Sequence, residues 1–158
     1  MQVGEIMHTD VKTAAAEDTF ADVAKVMRTN GISSVVVMNG NKLAGIVTER
    51  DIVNLVATGG DPRSVKAGEG MTRSDIETVG SKTDIAKAAD HMAKRNIRHL
   101  PIVDKGKLVG IISIRDLTRW AADELSGGHE MPDIARSHKA LKAASELQRQ
   151  RGKERSKG

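Results

Sequence analysis

The chain has 158 residues, 39% of them hydrophobic, with no cysteine and 1% aromatic residues, Phe20 and Trp120. That length suits one compact domain or two small packed modules. The missing cysteines exclude disulfides, thiolate metal sites and thiol nucleophiles and fit a cytoplasmic setting, and so few aromatics exclude folds that stack bases on aromatic platforms. The net charge of +4 is unevenly placed: residues 136–158 hold eight Lys/Arg and two Glu, so the other 135 residues are slightly acidic. No apolar run approaches the roughly 18 residues of a membrane span and no charged-then-apolar leader opens the chain, so neither a membrane partner nor a secretion signal is expected.

A repeat orders the elements. The heptapeptide GIVTERD at 45–51 returns as GIISIRD at 110–116, an offset of 65, and the same offset aligns Ala24 with Ala89, Met27 with Met92 and Ile32 with Ile97. Met7 and Met71 also match if one residue is inserted before Asp75. Repeats are expected over 1–58 and 65–122, joined by a breaker-rich linker at 59–64 and followed by a tail at 123–158. In each repeat an extended lead-in (Asp10–Ala14; Asp75–Val79) precedes an amphipathic helix. The first helix carries the stripe Phe20, Val23, Ala24 and Met27, with Asp18 as N-cap and Gly31 at the C-terminus. The second carries Ile85, Ala88, Ala89 and Met92. A buried strand follows (Val35–Met38; Leu100–Val103), then a tight turn and a second strand (Leu43–Val47; Leu108–Ile112). A last helix starts near Thr48 or Ser113. The fold class is therefore α/β of the α+β kind: two β-α-β-β-α units packed sheet to sheet with pseudo-twofold symmetry, plus a basic C-terminal helix or tail. One unit alone buries little surface, so the pair shares a core and leaves two clefts between the repeats.

The heptapeptide carries the chemistry. Gly45 and Gly110 permit close backbone approach beside a strand. Thr48 and Ser113 sit at the strand-to-helix junction, with Asp51 and Asp116 three residues on. That spacing is a helix capping box. The pattern also suits a nucleotide: a carboxylate accepts from both vicinal hydroxyls of a ribose, a hydroxyl at a helix N-terminus receives phosphate, and Arg50 and Arg115 supply positive charge. Capping and ligand binding are compatible.

GIVTERD, GIISIRD, NIRHLPIVD at 96–104 and GISSVVVMN at 31–39 together resemble a tandem pair of CBS domains, the Bateman module, over about residues 1–122. The resemblance implies binding of AMP, ADP or ATP, or of S-adenosylmethionine or an NAD-type dinucleotide, and in many members a homodimer. By resemblance the ribose acids are Asp116 and Asp51, the hydroxyl positions Ser113 and Thr48, and the phosphate contacts Arg115 and Arg50. Arg98 and His99 fall where the family often places basic residues, and Ser33 and Ser34 replace them in the first repeat. Ile32, Ile97, Ile46 and Ile111 fit an aliphatic adenine slot. With Arg98, His99 and Arg115 grouped on it, the Asp116 cleft is expected to bind more tightly. The Asp51 cleft has Arg50, with Arg98 able to reach across.

The five histidines (His8, His91, His99, His129, His138) show no metal-ligand spacing, and none of the common nucleophile or phosphate-loop motifs occurs. No metal, no catalytic cofactor, no catalytic residue and no enzymatic activity are expected. The expected function is a nucleotide-sensing regulatory module acting on an effector protein. Two alternatives stand beside it: a ligand-free protein-interaction scaffold, and a nucleic-acid-binding regulator working through the basic tail, whose helical periodicity runs over about 134–150.

Overall fold

The protein is described by a computed structural model covering residues 1–73 and 76–125. Residues 1–122 form one compact unit and 123–158 a second, of which residues 123–125 are described. The helix expected over about 134–150 of the tail lies outside the described residues.

The first repeat runs β1 (Thr13–Ala15), α1 (Phe20–Asn30), β2 (Ser34–Asn39), β3 (Lys42–Thr48) and α2 (Glu49–Ala57). After a short helix α3 (Ala67–Gly70) the second runs α4 (Ile85–Arg95), β4 (His99–Asp104), β5 (Lys107–Ser113) and α5 (Ile114–Leu125). Phe20, Val23 and Met27 are buried on one face of α1, and Ile85, Ala88 and Met92 on one face of α4, as helical spacing requires. Thr19, not Asp18, caps α1: its hydroxyl accepts from Asp22 N at 3.2 Å, and the Asp22 carboxylate accepts from Thr19 N at 3.3 Å. Asp18 instead accepts from Ala15 N at 2.8 Å, closing the turn ahead of the helix. Gly31 ends α1 at φ +65°. Asn96 ends α4 at φ +52°, a left-handed position that its short polar side chain tolerates.

The hairpins superpose in register. Ser34 pairs with Thr48 and His99 with Ser113, and each hairpin has its irregularity at the same place, Val37/Met38 and Ile102/Val103. The lead-ins differ. In the first repeat β1 pairs in parallel with β2, and Val36 N donates to Lys12 O at 3.2 Å. The second repeat has Pro101 at the position of Val36, with no N–H to give. The strand expected there shrinks to one bridge, Val79 with Ile102.

The two sheets meet where β3 touches β5, and each repeat is completed by the segment that opens the other. Val3 N donates to Thr83 O, Gly4 N to Ser81 O, and Ile85 N to Met1 O, at 2.8–3.1 Å. The counterparts are Ala67 N to Asp18 O, Gly68 N to Ala16 O and Phe20 N to Val65 O, at 2.7–2.9 Å. Farther along each segment, His8 and Ile111 exchange hydrogen bonds at the outer edge of β5, as Thr72 and Ile46 do at the edge of β3. The bulky Phe20 ring lies against Gly70, with Ala67 in the same cluster; in the other repeat Ile85, Val3 and Ile6 are all buried.

Candidate functional site

The strand-to-helix junctions position the two acids. β3 ends at Thr48, and Asp51 lies in the first turn of α2. Asp51 Oδ2 accepts from Thr48 N at 2.7 Å and from Thr48 Oγ1 at 2.8 Å. In the second repeat Asp116 Oδ2 accepts from Ser113 N and Ser113 Oγ, both at 2.7 Å. Both acids therefore serve their helix starts with one oxygen. They differ at the other. Asp116 Oδ1 is 2.9 Å from His8 Nε2, whereas among the described residues no hydrogen bond falls on Asp51 Oδ1.

A cavity of about 170 Å³ opens on Asp51. Ile46, Ile76, Ile97 and Pro101 give it aliphatic walls, with Thr48 and Asp51 at the helix start. Arg50, Arg98 and His99 line its basic side, and Thr72, Glu77 and Asn96 complete it. Arg50 and Arg98 are exposed, so this side is open to solvent. Glu77 is already engaged, 2.8 Å from His91 Nε2 and 2.9 Å from Arg95 Nε. Burial, with Arg98 and then Arg115 adding to it against a pull from Asp116, holds the His99 pKa down to about 4. The ring is therefore neutral at pH 7, and the cavity's fixed positive charges are Arg50 and Arg98.

Arg98 and His99 line the Asp51 cavity, Arg98 thereby reaching across as the sequence allowed, while His99 also lies within the fields of Asp116 and Arg115. His99 lies at the seam: it is paired with Ser113 across the β4–β5 ladder, and its Nε2 is 2.9 Å from Ser33 Oγ. Of the expected site residues, Ile46, Thr48, Arg50, Asp51, Ile97, Arg98 and His99 line the cavity. Ile32, Ser33, Ser34, Ile111, Ser113, Arg115 and Asp116 do not line it. Ser34 is buried in β2. For Asp116, burial pushes the carboxyl pKa up, but the hydrogen bonds from His8 and Ser113 outweigh it and leave it below the ordinary value. Both oxygens of Asp116 are thus engaged within the fold, Oδ2 by Ser113 and Oδ1 by His8.

Sequence reasoning missed His8, Thr72, Ile76, Glu77, Asn96 and Pro101. For His8 and Thr72 a signal existed: each follows one of the aligned methionines, Met7 and Met71.

The family profile of the CBS domain matches residues 3–58 and 67–123, and the chain belongs to the CBS-domain family. An uncharacterized protein of Methanopyrus kandleri is 39% identical over 120 residues, covering 74% of this chain; the chain spans 61% of that relative's length. Among solved structures, a CBS domain protein of Pyrobaculum aerophilum complexed with AMP is similar at TM-score 0.71 and 29% identity, over 80% of this chain and 97% of that one. A CBS domain pair in complex with 5′-methylthioadenosine and S-adenosyl-L-methionine is similar at TM-score 0.72 and 26% identity, over 78% and 98% of the two chains. The repeats are thus a tandem CBS module of mixed α/β structure.

Proposed function

We propose that the chain is a regulatory module, not an enzyme, that takes an adenosine-containing nucleotide in the Asp51 cavity. The observation that carries this reading is the uncommitted Asp51 Oδ1 beside an aliphatic pocket with Arg50 and Arg98 at its open side. A carboxylate oxygen there accepts from ribose hydroxyls, and such charge-assisted bonds contribute roughly 1.5–3 kcal/mol each. Ile46, Ile76 and Ile97 suit adenine, which needs no aromatic partner in an aliphatic slot. At about 170 Å³ the cavity is small for a whole nucleotide, so the phosphates lie at the solvent-exposed rim with the two arginines. The AMP complex of the Pyrobaculum relative and the thioadenosine ligands of the other solved pair support the same ligand class.

The proposal includes a homodimer and an effector protein that senses the ligand. α2 buries no residue within the chain, and it leaves Val53 63% and Val56 55% exposed, an apolar face that a second copy would cover. Ligand binding then biases the arrangement of the repeats by no more than its differential affinity for the two states. Thermal shift against AMP, ADP, ATP, S-adenosylmethionine and NAD tests the reading. At least one should raise the melting temperature at millimolar concentration, and Asp51→Ala should abolish the rise. No response from any of the five would leave an interaction scaffold as the better account.

A further inference from the structure

Resting on that reading, we infer that His8 is a built-in occupant of the second nucleotide cleft, so that the chain carries one working site where its symmetry provides two. The pseudo-twofold axis matches each feature of the Asp51 site with one at Asp116. Both acids give Oδ2 to the hydroxyl and amide of their helix cap. Both motif strands exchange backbone hydrogen bonds with the crossing segment, Ile46 with Thr72 and Ile111 with His8. The pairing puts His8 where the other site has Thr72, and the two sites diverge at this residue. The His8 ring reaches Asp116 Oδ1 at 2.9 Å. The Asp116 side chain is left 15% exposed and that of His8 23%. Thr72 lines the Asp51 cavity and leaves Asp51 Oδ1 without a hydrogen bond among the described residues.

The imidazole thus takes up the oxygen that a ribose would need. A ligand entering the Asp116 cleft must first displace a bond made within the fold, one that involves a charged acceptor and is shielded from water. A second difference works the same way: at the Arg98 position the first repeat has Ser33, whose hydroxyl is 2.9 Å from His99 Nε2. Once opened, this cleft would take a nucleoside monophosphate with Arg115 as its positive charge, more weakly than the Asp51 site does.

The experiment exchanges the two residues and counts bound AMP by equilibrium dialysis. The unaltered chain should hold one AMP per chain. His8→Thr, which installs the residue of the working site, should raise this to two, and His8→Thr combined with Asp116→Ala should return it to one. Thr72→His should reduce the count to zero by placing the same ring over Asp51. Circular dichroism verifies that each variant is folded. Two AMP bound to the unaltered chain, or one to the folded His8→Thr variant, would overturn the role of His8 while leaving the nucleotide reading intact. No AMP on either chain, together with no thermal shift from any of the other four compounds, would overturn both.

Discussion

At His99, one ring meets both halves of the molecule and its protonation is tied to folding. It is half-buried at the start of β4, its Nε2 is 2.9 Å from Ser33 Oγ, and Arg98 and Arg115 oppose a positive charge on it. Its pKa is about 4 in the fold, below the ordinary 6.5. As pH falls below 6.5 the unfolded chain takes the proton first and the folded chain resists it, so stability declines from pH 6.5 down to about 4. The full effect is about 3 kcal/mol. Asp116 acts in a lower window: its carboxyl lies below the ordinary 3.8, so its contribution is present above that value and is lost as pH falls through the folded pKa. Urea midpoints measured between pH 7 and pH 4.5 should fall for the unaltered chain and stay nearly level for His99→Gln. Parallel slopes would assign the decline to other groups.

At the scale of elements, the glycine of each motif is explained by the segment that crosses over it. A Cβ on Gly45 would stand 2.9 Å from Thr72 O and collide with the Met71 side chain; one on Gly110 would stand 3.1 Å from His8 O and collide with Met7. Gly45→Ala should therefore destabilise by about 1–3 kcal/mol, the usual cost of overpacking. Because part of the clash is with a flexible side chain, Met71→Ala should make the glycine substitution less costly. A double-mutant cycle by urea denaturation reads this coupling, and strict additivity of the two changes would show that Met71 is not the obstacle. Much of this was legible in the sequence. The offset of 65 located both hairpins and both helix starts, and Gly45 and Gly110 announced a close approach. The approaching chain was hidden, because periodicity marks a face as buried and says nothing of what covers it. Arg98 was expected to be able to reach the Asp51 side, but His99 was placed with Asp116 alone, for a related reason. The ladder that pairs His99 with Ser113 is local and readable, whereas the line-up of the basic pair with Asp51 crosses between repeats. Pro101 could have been read as a broken strand pairing, since a missing N–H is visible in sequence.

At the scale of the whole molecule, the exchange of segments makes the covalent repeats and the packed repeats different objects. Residues 1–8 open the first repeat in the chain yet hydrogen-bond to Ser81, Thr83, Ile85 and Ile111 of the second. Neither covalent half contains everything its own core requires, so the two should fold in one cooperative step. Trp120, the only tryptophan, lies on α5 and reports the second repeat, while far-UV circular dichroism reports both. Their urea transitions should coincide. Deleting residues 1–7 removes Val3 and Ile6, which are 0% and 2% exposed. Each such aliphatic side chain contributes about 1.5–3 kcal/mol by burial. The loss of about 3–6 kcal/mol is comparable with the roughly 5–15 kcal/mol that holds a domain folded. The shortened chain should lose the folded signal of both repeats together, although the deleted residues include no part of β1, α1, β2, β3 or α2. A deletion variant in which Trp120 reports unfolding while half of the helical signal survives to higher urea would show that the first repeat stands alone. It would also confine the coupling between the halves to the seam around His99.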